Sequence, residues 1–125
     1  MAVLTIRRIF NKRSTTRNAF NWAFSPDGDP RLGVELTSNL VGALLECGMI
    51  DEYCTRAAQA VDALESLPAR SVGAASEMRV RAALASALPY VRGPVSKSAE
   101  LWQDVFTLAI ESCNQEFHAR ALWGL

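Results

Sequence analysis

One histidine, three cysteines and seven dispersed glycines make a thin inventory for catalysis in a chain of 125 residues. The glycines form neither a phosphate-cradling loop nor a dinucleotide fingerprint. Cys47, Cys54 and Cys113 contain no Cys-x-x-Cys pair. With His118 as the sole imidazole, they make a weak case for the four convergent ligands of a structural zinc. Their apolar neighbours read instead as surroundings of small buried thiols in a reducing compartment. No apolar run approaches the roughly 20 residues that a membrane-spanning helix needs, so a membrane partner is not expected. The opening Met-Ala-Val-Leu-Thr-Ile meets Arg7 and Arg8 too early for a secretory signal. An acid-free, arginine-containing start overlaps with organelle transit segments in composition, but a cytoplasmic or other intracellular location is the better expectation.

Acidic residues are missing from the first 25 positions, although the whole chain balances 13 basic against 13 acidic residues. A protein dedicated to wrapping nucleic acid carries a large positive excess, so this chain could bind it only through its start. What is present there is a short basic arm with large apolar residues of its own. Arg7, Arg8, Lys12, Arg13 and Arg17 are interspersed with Val3, Leu4, Ile6, Ile9 and Phe10. Val3–Ile9 suits a short β-segment and a short amphipathic helix equally. Phe20, Trp22 and Phe24 alternate with Asn21 and Ala23, which favours an extended segment with three rings on one side. Ser25-Pro26-Asp27-Gly28 is a strong turn signal, and Asp29-Pro30 extends the break. Asp27 and Asp29 resemble the start of a calcium loop only superficially, because Ser38 stands where that loop needs a glutamate.

The remainder of a chain that is 50% apolar residues overall predicts four helices. Thr37 or Ser38 caps the first, which runs to about Cys47 with Leu40, Val41, Leu44 and Leu45 inward and Gly48 as its stop. Asp51 caps the second, Glu52–Leu67, whose inner face is Cys54, Ala57, Ala58, Val61, Leu64 and Leu67, with Glu52, Arg56, Gln59 and Asp62 in water. Ser76 caps the third, which Pro89 closes. Its alanines at 82, 83, 85 and 87 let another backbone approach closely, with Val80, Leu84 and Leu88 as anchors. The fourth, about Ala99–Leu122, places Trp102, Val105, Phe106, Ala109 and Cys113 opposite a polar stripe that ends at His118. Glu116 and Arg120 interrupt the apolar side of that helix and suit an i,i+4 pair. The fold expected is therefore all-α or predominantly α: a small four-helix bundle-like body over residues 36–125, preceded by an extended or short β N-terminal arm over residues 1–35.

Function follows less directly. His118 and Glu111 can be drawn as a relay, yet Ser112 and Cys113 do not share the histidine's direction. The expectation is a protein that is not an enzyme and needs no cofactor or metal. It would serve as an adaptor, regulatory or accessory protein, of the compact kind that viruses and phages encode. Its partner is expected to be another protein, a second copy of the chain included, met through Arg7, Arg8, Lys12, Arg13, Arg17, Phe20, Trp22, Phe117 and Trp123. The alternative is RNA or DNA on the basic aromatic arm, with arginines on phosphates and Phe20 and Trp22 stacked on unpaired bases.

Overall fold

The computed structural model describes residues 15–69, 71–92 and 96–125, with side chains from Asn18 onward. These residues are predominantly helical and contain no strand. In chain order the helices are α1 (Thr15–Ala23), α2 (Pro30–Glu46), α3 (Ile50–Ser66), α4 (Ala74–Arg92), α5 (Ser96–Glu111) and α6 (Gln115–Gly124). The β-segment expected at Val3–Ile9 lies outside the described residues.

The extended segment expected at Phe20–Phe24 is corrected: Thr15–Ala23 is helical. Phe20 and Phe24 are four residues apart, a spacing that a strand and one face of a helix both satisfy. Phe20 and Ala23 point into the core, and Trp22 is left half exposed on the other side. The turn that follows is the one expected, closed by the Gly28 amide donating to the Ser25 carbonyl at 3.0 Å. Asp29-Pro30 then starts a helix rather than prolonging the break. The Asp29 carboxylate accepts from the Arg31 amide at 3.0 Å and proline occupies the first helical position, where its missing N–H costs nothing. α2 therefore runs through the boundary expected at residues 35/36. Thr37 and Ser38 are buried in its interior rather than capping it. Gly33 in its first turn lets the Phe24 ring approach; a Cβ there would lie 2.7 Å from ring carbons.

Gly48 ends α2 as expected. It is left-handed at φ 71°, and the Met49 and Gly48 amides donate back to the Leu44 and Leu45 carbonyls, both at 3.0 Å. This double closure is the Schellman stop that glycine allows without steric cost. The same closure recurs at an unforeseen place. Cys113 is left-handed at φ 56°, with Asn114 and Cys113 amides returning to the Ala109 and Ile110 carbonyls at 2.9 and 3.2 Å. The long terminal helix is thus two helices. Asn114 closes α5 and also caps α6, its side chain accepting from the Phe117 amide at 3.1 Å. The break turns Phe117 and Ala121 inward and leaves Cys113 exposed, which removes the conflict that Glu116 and Arg120 pose on one continuous wheel.

α4 is the central helix. It packs against α2, α3, α5 and α6, and Val80, Ala82, Ala83, Leu84, Ala85, Ala87 and Leu88 are all buried. A helix apolar nearly all round belongs in the middle of its bundle, and the alanines admit the close neighbours expected. Pro89 does not end it; the helix continues to Arg92. Proline leaves the carbonyl four residues earlier without its helical donor, and here the Ser98 hydroxyl donates to that Ala85 carbonyl at 2.7 Å. One larger core spans all six helices, and a smaller cluster of Val34, Ala60, Leu64, Val72 and Val80 adjoins the α2–α3–α4 junction.

Arg56 corrects another expectation. It is 6% exposed, with Nε on the Glu52 carboxylate at 3.0 Å and Nη1 on Gln59 Oε1 at 3.0 Å and Asn21 Oδ1 at 3.4 Å. Its guanidinium also lies 5.1 Å from the centre of the Phe20 ring. The residue expected in water is the polar bolt between α3 and α1.

Candidate functional site

Of the residues expected to meet a partner, Arg7, Arg8, Lys12 and Arg13 lie outside the described residues, as does the Arg17 side chain. The others divide. Phe20 and Phe117 are 2% and 5% exposed; both help to fill the core, and Phe117 also forms part of a cleft wall. Trp22 is half exposed and Trp123 is 92% exposed. Of the two tryptophans, Trp123 lines a groove.

That groove is one of three that meet on a single side of the bundle. The first is a cleft of about 480 Å³ between α2, α4 and α6. Val41, Ala83, Tyr53 and Phe117 line its buried part, with Arg79, Asn39, Glu116 and Arg120 around them. The second, about 470 Å³, is apolar and passes between Leu45, Ile50, Ala87 and Tyr90. The third, about 390 Å³, lies between Trp102 and Trp123. Leu45 and Tyr53 belong to the first and second grooves, Ser86 to the second and third, and Arg120 to the first and third. The three grooves adjoin one another at these side chains.

Local folding explains their exposed apolar residues. On α2 the inner face is Val34, Thr37, Ser38, Val41 and Leu44. Leu45, one residue and about 100° further round, is therefore left 52% exposed, where the sequence had placed it inside. Tyr90 follows Pro89 in the last turn of α4 and is 85% exposed. Trp123 reaches the surface because the break at Cys113 sets α6 so that Phe117 and Ala121, not the residues around position 123, face inward. Neither Leu45 nor Tyr90 carried a sequence signal beyond being apolar.

The polar groups in the cleft include two donor-only guanidiniums, those of Arg79 and Arg120. The Arg120 guanidinium lies over the Phe117 ring at 5.0 Å and does not form the expected i,i+4 ion pair with Glu116. Burial pushes the Tyr53 hydroxyl above its ordinary range, the Arg120 guanidinium opposes that rise, and Cys54 adds to it. Tyr53 is therefore a neutral phenol at physiological pH, able to donate. Ser38 Oγ is buried without a hydrogen-bond partner among the described residues. Behind the cleft, burial also raises Cys54, against the pull of Arg92 and with the help of Asp51. A thiol held protonated is a poor nucleophile and a poor metal ligand.

His118, the only imidazole, packs its ring against Phe106 with centroids 5.1 Å apart. Among the described residues, no group of three His, Cys, Asp or Glu side chains could hold a metal ion. No helix among them is long and apolar enough to cross a membrane. Compared with protein-family models, curated proteins and solved structures, the chain has no significant match in any of the three.

Proposed function

We propose that this is a non-enzymatic helical adaptor or accessory protein that acts by binding another protein, through the continuous face that carries Leu45, Tyr90 and Trp123. The observation that supports this most is the convergence of three half-to-fully exposed large apolar side chains on grooves that share their walls. Scattered apolar residues are normal on a protein surface, whereas a contiguous patch rimmed by polar groups is a feature of interaction sites. Its composition also matches interface energetics, in which Trp, Tyr and Arg supply most anchoring side chains. The face has the means to take an inserted side chain, and its own tryptophan and tyrosine have the reach to enter a partner.

The test is recovery of a partner from native lysate with Leu45→Ser, Tyr90→Ser and Trp123→Ser variants, against Leu32→Ser as a control. Leu32 is exposed but lines none of the three grooves. Recovery lost in the first three variants and kept in the fourth, with unchanged thermal unfolding throughout, is the expected result. Equal recovery with all four would refute the assignment of this face.

A further inference from the structure

We propose, building on that reading, that the cleft between α2, α4 and α6 receives an acidic segment of the partner protein. A carboxylate side chain meets Arg79 and Arg120, and an adjoining apolar side chain lies along Leu45 and Tyr90. Charge complementarity carries the inference. Arg56, Arg81 and Lys97 each hold a carboxylate partner within the fold. Among the described residues Arg31, Arg79, Arg92 and Arg120 have none, and of these four Arg79 and Arg120 line the cleft. Among the described residues Glu116 is the one carboxylate lining the same cleft, so these side chains carry a positive excess that the balanced chain as a whole lacks.

Two further features favour an oxygen acceptor. Arg120 is held at the cleft by its contact with Phe117, which reduces the freedom it must lose on binding. The Ser38 hydroxyl, in a side chain of the cleft wall that is 5% exposed, has no hydrogen-bond partner among the described residues. Leaving such a group unsatisfied has a cost that a ligand acceptor, reached by rotation of the side chain, would relieve. The apolar second groove opens from the same cleft through Leu45 and Tyr53. An occupant that satisfies both parts is a peptide with Asp or Glu beside Leu, Phe or Trp. Arginine pairs well with carboxylates because its fork matches their two oxygens.

The full chain would be used to select from random twelve-residue peptides displayed on phage, and the enriched peptides would be labelled and measured by fluorescence anisotropy. Acidic residues next to large apolar ones should be enriched. An Arg79→Glu/Arg120→Glu double variant should bind these peptides at least tenfold more weakly, and lysine replacements of the peptide acids should recover binding on that variant. Neutral or basic enriched peptides, or equal binding to the double variant, overturn the acidic occupant. If such peptides still lose binding to Tyr90→Ser and Trp123→Ser, the protein-binding face stands and only the acidic inference falls. If no peptide is enriched, or those enriched ignore all four substitutions, both fall. A labelled single-stranded oligonucleotide bound through the same two arginines, or self-association that the double variant abolishes, also overturns the proposal by naming a different occupant.

Discussion

Replacing Ser98 by alanine tests how α4 survives its internal proline. Pro89 offers no N–H to the Ala85 carbonyl, and Ala85 is 1% exposed, so water is a poor substitute. Ser98 Oγ supplies the missing donor from α5 at 2.7 Å. Its removal strands a shielded acceptor, which costs about 1–2 kcal/mol. In a Pro89→Ala background the residue-89 amide can take the Ala85 carbonyl itself, and the same Ser98→Ala change should then cost less than about 0.5 kcal/mol. The coupling between the two positions is therefore about 1 kcal/mol, within the range for residues sharing one partner. Urea unfolding of the four proteins, followed by far-ultraviolet circular dichroism, gives each free energy. Equal cost of Ser98→Ala in both backgrounds would refute the idea that the serine replaces the proline's missing donor.

Four further outcomes follow from the fold. Cys113→Gly should stabilise the protein by about 1 kcal/mol, since the left-handed backbone that an L-residue resists is native to glycine; a Tm rise of about 4 °C is the readout. Arg56→Ala should cost about 2–3 kcal/mol by removing its hydrogen bonds to the half-buried Glu52 and Gln59 and its packing over Phe20, and faster amide exchange confined to α1 and the facing part of α3 would locate the damage; Phe20→Ala should cost about 3–5 kcal/mol. Stability should also fall in alkali. The folded Tyr53 and Cys54 hold their protons above their ordinary values near 10.0 and 9.0, so the unfolded chain releases protons first. Their contribution is complete below those ordinary values and is lost as pH rises through the folded ones. Tyr53→Phe should flatten the part of that decline above pH 10, measured by denaturant titration at each pH.

The helical class was legible in the sequence because burial imposes a period, and the stop at Gly48 because glycine tolerates a positive φ. The start of α2 was also written there, in Asp29-Pro30, but those two residues signal a turn as readily as a helix cap. At Phe20 and Phe24 the spacing of four satisfied two periods, and the contact with Arg56, 36 residues away from Phe20, decided between them. Cys113 hid a helix break because its side chain is not one that favours the left-handed region. The clue was indirect: Glu116 and Arg120 fell on an apolar face. Pro89 misled for the converse reason, since its rescue comes from a side chain on the next helix.

The candidate face was less legible still. Trp123 stood out by type and position near the chain's last residue, but Leu45 was indistinguishable from its buried neighbour Leu44. Phe20 and Phe117 were drawn as contacts for their chemistry; packing buries both, Phe20 in the core and Phe117 in the inner wall of the cleft. A surface assembled from α2, α3, α4, α5 and α6 is set by how helices are juxtaposed, and no local pattern records that.

The most direct measurement is light-driven cross-linking from a photoreactive phenylalanine analogue placed at position 90 or 123, compared with position 32, in cells that contain the partner. A discrete protein adduct from positions 90 and 123, and none from position 32, is the predicted result. Adducts that form equally from all three positions, or none from 90 and 123, would contradict the claim that the Leu45–Tyr90–Trp123 face is where this protein meets another.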